Sequence, residues 1–431
     1  MPRKKVEQLT EDLQETSESQ NADEATSDGT VEAQPPKKQS QKEPLRPFLL
    51  VADLGRSSCK SLEYFDGQEI EIDKLTSCVA RLDSSPGNDY GGFTLELEEV
   101  HPTEVNEKGK PVKVKKQEHW VVGDRAQAYP NPIWMTDKSD AKVEYFHILL
   151  MGVISVTPNL DKLSTGKSAK QRTLTIDLAT LSIAKPDELK KKLKSCKALT
   201  INGIKYRLNF TSNQQSFVEG HGGAIHGKNC FPNHNTLYVA DLGAGTFQIS
   251  EFSILNKLPS KKSKDSYHGG GGITSLKREV AKALSNGDSS NYLTRSQVST
   301  ILEKSEWTNG KVVAQDFTKS DVSNHITFAI NQWLRESPAG FALEDLVNIS
   351  RRSPVIFCGG GFAIASVKGI IQKQIIESGG DAKNLIFPED LGLIAVRGVL
   401  DYLIQKPSNI LQLPTIKEIA TDDHDDQAAT A

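Results

Sequence analysis

A run of apolar residues that ends in an aspartate and a glycine occurs twice in the chain. Residues 48–53 read FLLVAD and are followed by LGRSSCK, and residues 238–241 read YVAD and are followed by LGAGT. A continuous apolar run of this length predicts a strand that is buried on both faces. A second strand-like run follows each glycine turn, so the repeated VADLG predicts two related strand hairpins.

The pattern between and after these hairpins predicts strands followed by helices, twice over. The first hairpin precedes an alternating pair, FTLELEEV and VKVKKQEHWVVG, which predicts a half-exposed hairpin. After it we expect a helix at 142–156, a strand at TLTIDLA, a helix from Pro186 and a turn at Asn202-Gly203. The second hairpin precedes a glycine-led helix, helical periodicity over 285–350, the strand, turn and helix of PVIFCGGGFAIASV, and a closing helix in 388–403. The order predicts an α/β fold of two related domains.

The two ends of the chain differ from the rest in composition. Residues 1–46 are rich in Glu, Ser, Gln, Thr and Lys and have almost no aromatic residues, and residues 413–431 are acidic. Such segments bury too little apolar surface to offset their ordering entropy, so we expect both to be disordered. A solvated tail is favoured for each over an interaction arm.

Composition narrows the function classes further. The net charge of −3 gives no electrostatic case for direct nucleic-acid binding. The longest apolar runs are too short to span a bilayer, and the N-terminus lacks the apolar core of a secretory signal. Five scattered cysteines without a CxxC pair are typical of free thiols in a reducing compartment. We therefore expect a cytoplasmic protein without a transmembrane segment.

The first hairpin loop has the residues of a phosphate and metal site. Backbone amides of a tight turn after Asp53 converge on an oxyanion, and Gly55 lets the backbone approach it. Asp53 is able to hold Mg²⁺ through water, and Lys60 adds a point charge for a phosphate. One such loop is more often an ordinary turn, and the interpretation depends on its repetition.

Two further loops supply that repetition. Asp241 begins a second loop of the same design, with an additional glycine and the hydroxyl of Thr246. Gly359-Gly360-Gly361 follows a buried strand and opens a helix, which places backbone amides near a phosphate or ribose. Two aspartate loops that face each other from two domains would hold a chain of phosphates and its magnesium.

These loops resemble those of the actin-fold ATPases, a superfamily that includes actin, heat-shock chaperones and sugar kinases. DLGRSSCK resembles the first phosphate loop of that fold, DLGAGT the second, and CGGGFAIASV the adenosine loop. The more similar branch is ParM/StbA, the bacterial actin-like proteins of plasmid segregation. The resemblance covers roughly residues 47–408, with an insertion near 100–118.

The resemblance implies a ribonuclease H-like, two-domain ATPase fold with a nucleotide cleft between the domains. Domain I is expected at 47–232, completed by 391–408, and domain II at 236–388. The implied ligands are ATP or GTP and Mg²⁺, with Asp53 and Asp241 as magnesium residues through water. The implied nucleotide-binding residues are Asp53, Gly55, Arg56, Ser57, Ser58, Lys60, Asp241, Gly243, Ala244, Gly245, Thr246, Gly270, Gly271, Lys277, Gly359, Gly360, Gly361 and Phe362.

The resemblance also implies a catalytic pair, Gln215 and Asp241. The ParM branch positions its attacking water with a glutamate at a helix start, and we expect Gln215, within NQQS, to take that place. Actin uses a glutamine for this task, and an amide orients water but is a poor base. The alternative is that Gln215 caps the helix or faces solvent, with Gln214 as the next candidate.

The implied function is a filament that assembles with nucleotide, hydrolyses it, and drives or organises the segregation of DNA. The partners would be further copies of the chain and a small DNA-binding adaptor. The alternative is a structural cytoskeletal filament with slow hydrolysis, and a kinase or chaperone is the minority hypothesis.

A group of histidines and a cysteine before the second hairpin raises the question of zinc. The group comprises His221, His226, Cys230 and His234, whose spacing matches no standard zinc signature. We interpret the segment as a surface loop rich in Gly, Asn and Pro, with a zinc site as the less favoured alternative.

Overall fold

The computed structural model describes residues 47–105, 111–137, 140–168, 170–285 and 293–405. The expected tails at 1–46 and 413–431, and the tip of the expected insertion at 106–110, lie outside these ranges. No helix within the described ranges is long and apolar enough to cross a membrane.

The first half of the molecule is built on one large sheet. A three-strand meander begins it, the next four strands along the chain form its far edge, and two helices come before the strands that join these two parts. Its strands are β1 (Phe48–Leu54), β2 (Ser58–Phe65), β3 (Gln68–Thr76), β4 (Cys78–Leu82), β5 (Gly92–Val105), β6 (Pro111–Val122), β7 (Ile133–Trp134), β8 (Ser164–Ser168), β9 (Gln171–Leu181), β10 (Cys196–Ile201) and β11 (Ile204–Phe217). Its helices are α1 (Ala141–Val156), α2 (Leu160–Leu163) and α3 (Pro186–Ser195), with a 3₁₀ turn at Asp124–Ala128.

The second half is built on a smaller sheet. Helix α4 (His221–Cys230) leads into it, and α10 (Ile394–Gln405) follows it. Its strands are β12 (Thr236–Leu242), β13 (Thr246–Ser253), β14 (Ser260–Gly269), β17 (Val355–Cys358) and β18 (Leu385–Ile386), with a separate hairpin of β15 (Glu306–Thr308) and β16 (Lys311–Val313). Its helices are α5 (Ile273–Ser285), α6 (Arg295–Glu303), α7 (Ser323–Glu336), α8 (Ala339–Ser350) and α9 (Ala365–Glu377), with a 3₁₀ turn at Ala382–Asn384.

The two sheets share one strand order. Five strands of the first run β3-β2-β1-β9-β11, and the second runs β14-β13-β12-β17-β18. In each, the first three strands pair antiparallel and the last three pair parallel. The expected α/β fold with a repeated hairpin is confirmed. The first sheet is wider because β10, β5, β6, β4 and β7 continue it.

Each half is covered by a helix that follows the other half in the chain: α4 packs on the second sheet and α10 packs on the first. The chain leaves the first sheet through α4, which packs against β12 and β17 of the second. It leaves the second sheet through α10, whose Val396, Val399 and Leu400 pack against the first. The helices cross at glycines: a Cβ on Gly222 would lie 1.7 Å from the Ala395 carbonyl oxygen, and one on Gly398 would lie 2.1 Å from the Gly222 oxygen. The crossing therefore requires backbone-to-backbone contact.

The prediction of a surface loop at 221–234 is wrong for most of that segment. Residues 221–230 form α4. Six of its first seven residues are buried, namely His221, Gly222, Gly223, Ala224, Ile225 and Gly227. The helix is glycine-rich because it passes between α10 and the second sheet, where a Cβ on Gly227 would lie 2.5 Å from Ile356. A helix with this composition gains its stability from tertiary packing rather than from intrinsic propensity.

Candidate functional site

The loop between β1 and β2 is the first of the site's phosphate-loop candidates. Asp53 stands directly across from Lys60 in the antiparallel pair. The Ser77 hydroxyl donates to the Gly55 carbonyl at 2.6 Å, and the Ser77 amide donates to the Ser57 carbonyl at 3.0 Å. A Cβ on Gly55 would lie 2.6 Å from the Ser58 carbonyl oxygen, so this tight turn requires glycine. Within it, Arg56 and Ser57 are exposed and Ser58 is buried.

The loop between β12 and β13 is also a tight hairpin turn, but different residues hold it in place. Its carbonyls at Gly243 and Ala244 accept from the first amides of α5, Ile273 at 3.1 Å and Thr274 at 2.8 Å, and Gly270 donates to Gly245. Gly272 packs so closely on the loop that a Cβ would lie 2.4 Å from the Ala244 oxygen. The start of α5 therefore holds this loop in place through its backbone.

The third loop lies against the second. Gly359 has a left-handed φ of +96°, and a Cβ there would lie 2.3 Å from Oδ1 of Asp241. The amide of Gly361 donates to the Leu242 carbonyl at 2.9 Å. A Cβ on Gly360 would meet nothing within 4 Å, so this glycine faces open space. The structure thus brings two of the three predicted loops into direct contact.

The aspartates of the two hairpins influence each other electrostatically. Burial raises the pKa of Asp241, the charge of Lys60 opposes that rise, and the charge of Asp53 adds to it. Burial also raises the pKa of the Cys358 thiol well above its usual value, so this thiol stays protonated and donates to Asp241. Asp53 and Lys60 come from the first half and Asp241 comes from the second. Because the charges of the first two act on the third, these predicted site residues lie near one another.

The donor set fits a hydrated magnesium ion. Oδ1 of Asp53 is buried and has no hydrogen-bond partner among the described residues. An unpartnered buried carboxylate oxygen is costly unless a cation or water satisfies it. No group of three or more His, Cys, Asp or Glu side chains in the described ranges is placed to hold a metal ion. Two carboxylates acting through water, with phosphates completing the shell, suit the way Mg²⁺ is usually bound.

Glu219 joins this cluster and was missed in the sequence. It lies between β11 and α4, next to Gly220, whose φ of +88° turns the chain into the helix. Its pKa is raised to about 7, first by desolvation among the surrounding protein atoms and then by the negative charges of Asp241 and Asp53. The side chain is nevertheless exposed to solvent, and water screens its interactions with the two aspartates. Glu219 is thus a titratable group beside both predicted metal residues.

Two lysines from opposite halves complete the charges around Glu219. Lys142 of α1 and Lys261 of β14 both lower the pKa of Glu219, in opposition to the carboxylates. Lys142 also donates to the carbonyl of Ser182 at 2.6 Å, which fixes its position at the end of β9. Neither lysine stands in a recognisable motif, so no sequence pattern indicated them.

Comparison with known proteins identifies the architecture. No protein-family description and no curated sequence matches the chain. Among solved structures, Bacillus thuringiensis ParM with ATP superposes with a TM-score of 0.56 at 13% identity, over 85% of this chain and 100% of that one. A subunit of a 15-stranded ParM filament from Clostridium botulinum gives 0.54 at 14%, over 84% and 99%. Ta0583, an archaeal actin homolog, gives 0.53 at 15%, over 83% and 99%.

The chain has an actin-like fold of the ParM type. The predicted fold class is confirmed, and the duplicated strand order agrees with it. At 12–15% identity these likenesses concern the fold, while the chemistry depends on the residues of this chain.

Within the actin-like fold, the prediction that Gln215 stands at a helix start is wrong. Gln215 lies inside β11, where it pairs with Ala179 of β9, and its carbonyl accepts from the Thr180 hydroxyl at 3.3 Å. The strand continues to Phe217, and the helix begins only at His221. Glu219 lies two residues before the first helical residue, His221, and it is the residue type that the resemblance led us to expect near that helix start.

Two residues predicted at the adenosine side of the actin-like fold occupy different environments. Phe362 has no exposed surface and packs edge-on against Phe247 and Phe357, so its side chain belongs to the core of the second half and not to a ligand surface. Lys277 lies on α5, and burial lowers its pKa despite an ion pair with Glu303 at 3.6 Å. Lys277 remains a candidate for contact with a ligand, and Phe362 does not contribute its ring.

The histidines of α4 have structural partners in the actin-like fold. Nδ1 of His221 accepts from the Val218 amide at 3.1 Å, and Nε2 lies 2.8 Å from the Pro259 carbonyl oxygen, to which it donates. Burial lowers the pKa of His221 to about 4, which keeps the ring neutral. His226 lies 3.5 Å from the Cys230 sulfur, one helical turn away. His221 therefore fixes the segment after Glu219 to the β13–β14 connection.

Proposed function

We propose that the chain binds Mg-ATP or Mg-GTP between its two halves, hydrolyses it, and forms filaments whose turnover drives or organises the segregation of DNA. The observation that carries the proposal is the convergence of Asp53, Lys60, Asp241 and Glu219 at the loops of a duplicated actin-like fold. Structural neighbours that include a ParM with ATP and a ParM filament support it.

Each loop contributes a separate task in this proposal. Asp53 and Asp241 hold the metal ion through water, and Lys60 faces phosphate oxygens as a point charge. Bound magnesium supplies positive charge that offsets the phosphates. Backbone amides of the two hairpin loops bind phosphate oxygens, because tight glycine turns orient several N–H groups towards one anion. The Gly359–Gly361 loop and the start of α5 border the nucleoside.

Glu219 takes the catalytic role that we predicted for Gln215. A carboxylate beside the terminal phosphate orients a water molecule and accepts its proton as the water attacks. A group with a pKa of about 7 is well matched to proton transfer near neutral pH. A glutamate in this role favours a hydrolysing filament over the alternative, a structural filament with slow hydrolysis.

Assembly and cargo complete the proposal. Filaments of further copies of this chain would grow with nucleotide bound and disassemble after hydrolysis, in the cytoplasm. The net charge of −3 gives no basis for direct DNA binding, so a small DNA-binding adaptor would link filament and cargo. A gene for such an adaptor beside this one, next to repeated DNA sites, would favour segregation over a cytoskeletal role.

The test is Glu219→Gln, which keeps the shape of the side chain and removes its basicity. We expect phosphate release to fall by about two to four powers of ten, the usual contribution of a general base, while nucleotide affinity stays within about threefold. Filaments, followed by light scattering, should form at normal nucleotide concentration and persist. Gln215→Ala is the matched control and should hydrolyse at the parent rate.

Three results would count against parts of the proposal. Normal hydrolysis by Glu219→Gln would remove the catalytic assignment. Unchanged magnesium-dependent affinity in both Asp53→Ala and Asp241→Ala would remove the site. Absence of any nucleotide-dependent rise in scattering by the parent chain, or by a chain that starts at Leu45, would leave a nucleotide-binding protein without a filament.

A further inference from the structure

A contact between an arginine and a tryptophan joins the two halves at a place remote in sequence from the phosphate loops. The guanidinium carbon of Arg295 lies 5.8 Å from the ring centroid of Trp134. Trp134 lies on β7, the last strand of the wide first sheet, and Arg295 is the first residue of α6 in the second half. An arginine at this distance over an indole ring is attracted by the ring's electron density.

On the first side, Trp134 is connected to the first phosphate loop by short backbone links. Trp134 pairs with Cys78 across β4 and β7, and the amide of its neighbour Met135 donates to the Ser77 carbonyl at 3.1 Å. Ser77 is the residue whose hydroxyl and amide hold the loop at Gly55 and Ser57. Trp134 is therefore linked to the first loop through Ser77, by way of Cys78 and Met135.

On the second side, Arg295 is connected to the second phosphate loop through two helices. A capping box of Thr294 and Gln297 fixes the start of α6, and Glu303 at its end pairs with Lys277 of α5 at 3.6 Å. The first amides of α5 bond the carbonyls of the second loop. The Arg295–Trp134 contact is thus linked to both phosphate loops, and a ligand bound by both loops would close these links into a ring.

We propose that the Arg295–Trp134 contact is a latch that couples the approach of the two halves to occupancy of both phosphate loops. The inference rests on the proposed nucleotide site. A ligand that draws the two loops together also draws Trp134 and Arg295 together, and the contact in turn slows the release of that ligand. With a ligand bound to both loops, separation of the two halves would strain or break this contact.

The experiment is a double-mutant cycle of Trp134→Leu and Arg295→Gln, with release of a fluorescent ATP analogue as the readout. Because loss of a partly exposed cation–π contact removes a modest attraction, each single variant should release the analogue about three- to fivefold faster. Since both changes remove the same contact, the double variant should be no faster than the faster single variant. The matched control is Arg81→Gln, because Arg81 lies 5.9 Å from the Trp120 ring within the first half alone. It should release the analogue at the parent rate.

A second readout does not depend on the nucleotide. Small-angle scattering of the nucleotide-free monomer should show a larger radius of gyration for Arg295→Gln than for Arg81→Gln. Equal radii would overturn the latch, as would release rates that are unchanged or that change additively in the double variant. A parent chain that binds no analogue would refute the proposed function, while the scattering comparison would still decide whether the contact holds the halves together.

Discussion

The two halves have the same strand order and stabilise corresponding loops by different means. The first loop depends on Ser77, through one hydroxyl and one amide. The second depends on the start of α5 and the residues before it, through two backbone hydrogen bonds from α5, one from Gly270, and the close approach of Gly272. The difference shows that a duplicated fold conserves the position of a loop without conserving what holds it.

Strand register extends the comparison to single positions. Asp53 pairs with Lys60, and Asp241 with Gln248, so one lysine serves both aspartates. Counting along β2 and β13 from these pairs makes Glu63 equivalent to Glu251. Asp53 neighbours Leu181 and Asp241 neighbours Cys358, so Ser182 corresponds to Gly359. Both Ser182 and Gly359 have positive φ, +59° and +96°.

The largest expected effect comes from Gly359→Ser, which places in the second half the serine that stands at the equivalent position, Ser182, of the first half. The new Cβ would lie 2.3 Å from Oδ1 of Asp241 at a φ that suits glycine. We expect the free energy of unfolding to fall by about 3 kcal/mol or more, since backbone strain and overpacking combine. Denaturant unfolding measures this change.

Two neighbouring changes sharpen that test. Gly360→Ser enters open space and should alter stability by less than about 1 kcal/mol. Ser182→Gly relieves a left-handed serine and should also stay within about 1 kcal/mol. If Gly359→Ser is as stable as Gly360→Ser, the third loop does not pack on Asp241 as described.

The next effect concerns the equivalent glutamates. Glu251 pairs with Lys262, whereas Glu63 is 1% exposed and its Oε2 has no partner among the described residues. Burial raises the pKa of Glu63 from 4.5 to about 7. The folded chain keeps this proton up to about pH 7 and the unfolded chain releases it near 4.5, so stability falls as pH rises through that interval.

Replacement of Glu63 by Gln should remove most of that pH dependence. At pH 8 we expect Glu63→Gln to be more stable than the parent by about 1–3 kcal/mol, with little difference at pH 4.5. Glu251→Gln should instead lose a partly exposed ion pair, at most about 1 kcal/mol at pH 8. Thermal unfolding at both pH values distinguishes the two. A parent and Glu63→Gln with parallel pH profiles would contradict the unpaired burial of Glu63.

The smallest expected effect is that of Ser77→Ala on the first loop. The change removes the hydroxyl donor to Gly55 and leaves the backbone hydrogen bond to Ser57. One net hydrogen bond of about 1 kcal/mol corresponds to nucleotide affinity weakened about fivefold. Ser155→Ala removes a similar hydroxyl-to-carbonyl bond within α1 and is the control for binding measured by titration. Equal affinities for the two variants would mean that Ser77 does not hold the loop.

The elements that the sequence predicts well are those whose sequence signal is local. An apolar run followed by glycine predicts a buried strand and a turn. This pattern correctly predicted β1, β12 and β17 and the loops that follow them. The turn at Asn202-Gly203 has the positive φ at both residues that its sequence predicts. Each of these signals is complete within a few residues.

The elements that the sequence hides depend on distant partners. Gln214 and Gln215 belong to a strand because β9 pairs with them, although their own pattern is polar. Helix α4 is glycine-rich because α10, far along the chain, crosses it. Both effects conceal the true helix start, and Glu219 was missed for that reason. A glutamate directly before Gly-His-Gly-Gly was the available signal.

The exchange of α4 and α10 also has a consequence for how the protein is made. The ion pair between Arg397 of α10 and Glu69 of β3 closes a separation of 328 residues, and the apolar face of the first sheet is covered by residues of α10. A ribosome delivers the first sheet long before it delivers α10. The nascent first half therefore waits with an apolar face uncovered until α10 has emerged, and this face is a surface for a chaperone to cover during synthesis.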